Sequence, residues 1–178
     1  MRVRPNNGIK LGFTLIEAIV YIAVLFIVTA AIASFLIWAM QSNNKSAAMR
    51  EVLNNTQRMM AIMSYEIKEA KRIYAPTTSF TQLSLETLKY LADDENSSYL
   101  DFYSSNGSLL MKTDSQQDAI VLNSDRVEVK DINFEVISTT STYPSVRISL
   151  SVYYKNPNNR SDQSASMSVT STVSLRNY

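Results

Sequence analysis

The sequence predicts an α+β protein in which a long N-terminal α-helix, transmembrane in its inner half and amphipathic in its outer half, packs on an antiparallel β-sheet. Three observations lead there. Residues 13 to 74 contain neither Gly nor Pro, 62 residues in a row, so nothing in the backbone interrupts a helix. From Pro76 onward the chain turns to Ser, Thr, Asn and β-branched residues in repeated period-two alternation, the pattern of half-buried strands. The length of 178 residues leaves room for one globular domain and an accessory segment.

Residues 1–12 form a short basic leader carrying Arg2, Arg4 and Lys10, with Pro5 and the turn-prone pair Asn7-Gly8. Nothing in it can build a core. By the positive-inside tendency its charges hold the N-terminus in the cytoplasm and place everything after Met40 outside. Residues 13–40 follow as 28 consecutive residues with one charge, Glu17. At 1.5 Å per residue they span about 42 Å, enough to cross a bilayer with some tilt.

Residues 41–75 continue the helix with a different character. Met49, Val52, Leu53, Met60, Met63, Ile67, Ala70 and Tyr74 recur at steps of three and four, while Lys45, Arg50, Arg58, Glu66, Lys68, Glu69 and Arg72 fill the other faces. The stripe is expected to pack on the chain's own globular part, and Pro76 is expected to end the helix. Residues 76–178 read as the β-rich domain. Tyr99–Ser104 and Ser108–Lys112 flank Asn106-Gly107, a hairpin signal because both turn positions need positive φ. Ile132, Phe134 and Val136, then Val146 to Tyr154, then Met167 to Leu175, each alternate apolar with polar residues. A single sheet with one apolar face needs a cover, and the amphipathic helix is the available one.

Composition narrows the function. The chain has no Cys and no His, which removes disulfides, thiolate chemistry, the commonest general base and the commonest metal ligand. The expectation is therefore no enzyme, no catalytic residue, no cofactor and no metal. The net charge is +1, and without residues 1–12 the balance is 14 basic against 16 acidic residues, a formal −2. That is no nucleic-acid footprint, and no direct nucleic-acid binding is expected.

The segment Lys10-Leu11-Gly12-Phe13-Thr14-Leu15-Ile16-Glu17, between basic leader and apolar run, resembles the N-terminus of type IV prepilins and pseudopilins. That family opens with a basic leader, a Gly, and Phe-Thr-Leu-Ile-Glu at the head of a hydrophobic helix. The resemblance implies that a prepilin peptidase cuts between Gly12 and Phe13 and methylates the new amine of Phe13. It also implies that Phe13, Thr14 and Glu17 serve assembly, with other pilin or pseudopilin subunits, an inner-membrane assembly platform and membrane lipid as partners. The helix end Ser64–Ile73 and the terminus Thr172–Asn177 look most like minor pilins and J-type pseudopilins of pilus and type II secretion systems. The sequence departs from many major pilins in having no cysteine pair and no proline in the membrane helix. By this resemblance the protein starts as a single-pass inner-membrane protein and ends in a surface pilus or periplasmic pseudopilus.

Glu17 also has a reading of its own. A carboxylate inside a spanning helix costs a few kcal/mol, and such residues are usually paired. The amine that cleavage creates at Phe13 lies four residues back on the same side, and the same group on an adjacent subunit would fix axial register. The competing reading places Glu17 at the headgroup level, simply solvated. Ala31-Ile32-Ala33 before Ser34 is an A-x-A pattern compatible with a secretory signal cut there, but apolar character resumes at once with Phe35. A plain uncleaved anchor is a further alternative, and a membrane-anchored or secreted β-domain that binds a ligand by itself is the function from another class.

Three other constellations are weaker. Asp93-Asp94-Glu95-Asn96 with Asp101 offers oxygen ligands but lacks the spacing and glycine of a calcium loop. Tyr99, Phe102, Tyr103, Tyr153 and Tyr154 could line a patch, but at strand spacing they read as sheet faces. Lys68, Lys71 and Arg72 could meet phosphate, but near the end of the helix they read as solvated charges complementing its C-terminus.

Overall fold

The computed structural model describes residues 14–90, 97–137, 144–156 and 158–176. One long helix, α1 (Leu15–Glu69), precedes eight strands. The chain divides into two units, 1–42 and 43–178, and α1 contributes to both.

In the first unit α1 is predominantly apolar, and none of its described residues is buried. Its large side chains are exposed, from Leu15 at 81% through Phe26 at 74% to Trp38 at 64%. The helix is long and apolar enough to cross a membrane, with none of its most hydrophobic stretch buried by the protein.

In the second unit the helix is a structural member of the β-domain. Ala48, Val52, Asn55, Thr56, Met59, Met60, Met63, Glu66 and Ile67 are buried. Their spacing of three and four traces one face, and that face joins the hydrophobic core. Most of the expected stripe is in place, with Val52, Met60, Met63, Ile67 and Ala70 buried. Met49, at 44% exposure, faces out.

The helix stops at Glu69, short of the expected boundary near residue 75. Pro76 is not the reason. The amide of Lys71 donates to the Glu86 carbonyl at 2.8 Å and that of Tyr74 to the Ser84 carbonyl at 2.9 Å, so sheet pairing takes over the backbone groups a further helical turn would use.

The expected single sheet is two. Strands β1 (Arg72–Ile73), β2 (Gln82–Thr87), β3 (Ser98–Ser105), β4 (Ser108–Thr113) and β5 (Ile120–Val121) form one antiparallel sheet in chain order. Strands β6 (Val127–Ile137), β7 (Ser145–Tyr154) and β8 (Ser166–Ser174) form the other, also antiparallel. Each is a meander, so short connections suffice. The β3–β4 turn has Asn106 at φ 50° and Gly107 at φ 73°, the conformation the Asn-Gly pair predicts. A Cβ on Gly107 would meet Glu128 Cγ at 3.2 Å.

The sheets meet through specific bonds. The amide of Val129 donates to the Gly107 carbonyl at 2.9 Å, and the amide of Phe134 to the Phe80 carbonyl at 2.8 Å. Asn123, 9% exposed, accepts from the Leu109 amide at 2.9 Å and donates to the Val127 carbonyl at 2.7 Å. One amide side chain thereby fixes where β6 starts against the β3–β4 hairpin.

Candidate functional site

The residues the sequence singles out concentrate at the start of α1. Gly12 and Phe13, the expected cleavage and methylation positions, lie outside the described residues, as does the leader. Thr14 is the N-cap. Its Oγ1 accepts the Glu17 amide at 3.3 Å, and its carbonyl accepts the Ala18 amide at 3.2 Å. Thr and Glu three apart at a helix start form the capping-box pattern. Both residues, which the resemblance implies serve assembly, thus also have a local role in starting the helix. Glu17 also sits in the first turn, where the helix dipole favours negative charge.

The Glu17 carboxylate accepts a hydrogen bond from the Tyr21 hydroxyl, with Oη to Oε1 at 3.0 Å. The two residues are four apart and so neighbours on one side of the helix. Farther along the apolar stretch, Thr29 Oγ1 donates to the Leu25 carbonyl at 2.9 Å and Ser34 Oγ to the Ala30 carbonyl at 2.9 Å. Thus each hydroxyl and carboxyl side chain between Thr14 and Met40 has a partner on its own helix, the arrangement a hydrocarbon surrounding demands.

Two buried glutamates organise the β-domain. Glu86 on β2, 3% exposed, accepts from Arg72 Nε and pairs with Lys71 Nζ at 3.2 Å. Burial pushes its pKa up, but the hydrogen bonds and charges of Arg72 and Lys71 outweigh burial and hold it below the ordinary value. Lys71 and Arg72 therefore neutralise a buried carboxylate from beyond the helix; of the expected C-terminal trio, Lys68 alone stands in its last turn. Glu66, expected on the wet face, is 6% exposed and accepts from Lys89 Nζ at 2.7 Å and Tyr90 Oη at 3.0 Å. Lys89 Nζ also lies 4.5 Å from the centre of the Tyr65 ring. Burial lowers the Lys89 pKa, but the bonds to Glu66 and Tyr90 more than reverse this and raise it.

The aromatic residues do not converge. Phe102 is core, Tyr99 meets Tyr74 in a tilted ring contact with centroids 4.7 Å apart, Tyr153 donates to Glu128 and Tyr154 packs at the core margin. Asp101 pairs in register with Ser84 and Lys112 in the middle of its sheet; residues 93–96 lie outside the described residues. Among the described residues no group of three or more acidic side chains is placed to hold a metal ion. Surface clefts are shallow in chemistry: one of about 390 Å³ is lined by Tyr153, Tyr154, Asn156, Asn159 and Ser164–Ser166, and one of about 520 Å³ by Thr78–Phe80 and Phe134–Val136.

The fold and these residues define a class: an α+β chain whose N-terminal helix can cross a membrane and continues into the core of a β-domain. No family description, no curated protein and no solved structure matches the chain.

Proposed function

We propose that this protein is a structural subunit of a type IV pilus or type II secretion-like filament, of the minor pilin or pseudopilin kind. The observation that carries the reading is one of placement. The run Gly12-Phe13-Thr14-Leu15-Ile16-Glu17 leads into a 55-residue helix and supplies its first three residues, Leu15 to Glu17. The first part of that helix is bare apolar surface and its later part is core. Supporting it, α1 on antiparallel sheets is the architecture the resemblance implies. In this reading the leader stays in the cytoplasm and prepilin peptidase cuts after Gly12. The Phe13 amine is methylated, the assembly platform receives the membrane-held subunit, and the β-domain remains outside.

Assembly then draws on two contributions. The apolar side chains from Leu15 to Met40 exchange lipid for like helices, where packing rather than the hydrophobic effect drives association. Glu17 pairs with the amine of Phe13 on a neighbouring subunit, which fixes the axial step. Removing one member of a desolvated charge pair leaves the other uncompensated, a loss of about 3–5 kcal/mol. The test is Glu17→Val, followed through membrane and sheared-filament fractions. The variant is expected to insert and be processed, yet to be depleted from filaments; wild-type amounts of it in filaments would contradict the pairing.

A further inference from the structure

The apolar part of α1 raises a problem that pairing between subunits does not solve. Before assembly the subunit is a lone span, and a carboxyl group in hydrocarbon without a partner costs a few kcal/mol. A tyrosine hydroxyl in the same place carries its own cost unless it donates to something.

We propose that Tyr21 is the in-membrane partner of Glu17, a positioning residue that holds the carboxyl group while the subunit is a single helix in the bilayer. This rests on the spanning reading of α1. Tyr21 Oη donates to Glu17 Oε1 at 3.0 Å, so each side chain answers the other's demand without leaving its own helix. Spacing makes it possible: residues four apart lie one above the other, and the tyrosine, one turn on, reaches back toward the N-terminus as helical side chains do. Thr29 and Ser34 meet the same need through backbone carbonyls, which a carboxylate cannot use because it is an acceptor only. Glu17 needs a donor, and Tyr21 supplies one. A carboxylate has two oxygens, so engagement of Oε1 by Tyr21 is compatible with an amine pairing through the other. The bond also fixes where the carboxyl group sits when a neighbour's amine arrives.

The experiment uses the full chain in native membranes and a membrane-permeant carbodiimide, dicyclohexylcarbodiimide, which adds to carboxyl groups in apolar surroundings. Modification at Glu17 is read by mass spectrometry as an initial rate. Tyr21→Phe removes only the hydroxyl. It strips the carboxyl group of the donor that occupies it, so the rate at Glu17 should rise about threefold, the scale of one intramembrane hydrogen bond. Thr29→Val, whose hydroxyl bonds to its own helix, should leave the rate unchanged. Equal rates in wild type and Tyr21→Phe overturn the proposal, as does an equal rise in both variants. A chain absent from the membrane fraction overturns the spanning reading and the proposal together, whereas equal labelling of a membrane-bound chain overturns the proposal alone.

Discussion

Asn55 Oδ1 accepts the backbone amide of Ser124 at 2.8 Å, joining the buried face of α1 to the loop that leads into β6. The same side chain donates to the Glu51 carbonyl at 2.9 Å, and Ser124 Oγ donates to Glu51 Oε1 at 3.0 Å. Asn55 is 7% exposed. An amide is needed there because the Ser124 N–H, once covered, must have an acceptor. Asn55→Ala should destabilise the domain by about 1–3 kcal/mol, the cost of a buried donor left unmade. Urea unfolding checks this, and a loss below a few tenths would mean that water replaces the side chain.

The domain should survive loss of the apolar first part of α1 but not loss of the whole helix. A fragment beginning at Ser42 keeps every buried residue of α1 and should be soluble and cooperatively folded. A fragment beginning at Pro76 lacks Val52, Met59, Met63 and Ile67, all fully buried, and should aggregate through the bared sheet faces. Gel filtration and thermal melts of the two fragments decide it. A monomeric, cooperative shorter fragment would refute the helix-on-sheet core.

Within the helix, burial rather than residue type should set the cost of truncating a methionine. Met59→Ala empties a site with 0% exposure and should cost about 2–5 kcal/mol. Met49→Ala, at 44% exposure, should change stability by no more than about 0.5 kcal/mol. Equal effects in urea midpoints would show that the buried face is wrongly assigned.

Glu86 makes part of the stability acid-sensitive. Its folded pKa lies below the ordinary value of 4.5, so the unfolded chain takes up its proton first as pH falls. The contribution is complete above that value and drains away below it. Glu86→Gln should therefore be less stable than wild type at pH 7, with the difference narrowing as pH drops below about 4.5. Stability measured against pH for both proteins tests the sign; a difference that widens in acid would contradict it.

Much of this architecture is visible in local pattern. The absence of Gly and Pro marks α1, Asn106-Gly107 marks the β3–β4 turn, and alternation marks β6, β7 and β8. What escapes the pattern depends on distant partners. The helix end is set by the pairing of β1 with β2, a competition that no residue near Glu69 announces. Strand β2 is buried on both faces, Ser84 and Glu86 included, and a buried Glu is intelligible only once Lys71 and Arg72 lie beside it. Which strands share a sheet is likewise beyond alternation, which fixes faces but not neighbours. Met59 adjoins Met60 of the expected stripe, and both are buried. At the candidate site, Thr14 and Glu17 stand out by motif. Tyr21 does not, although its distance of four residues from the only charge in the apolar run was the available signal.

The central claim is that this chain enters a filament as a processed subunit, and the mature N-terminus tests it most directly. Intact mass and N-terminal sequencing of the protein extracted from membranes should show a chain that begins at N-methylated Phe13, with residues 1–12 removed. A mature protein that retains Met1, or one that begins at Ser34, would contradict the account.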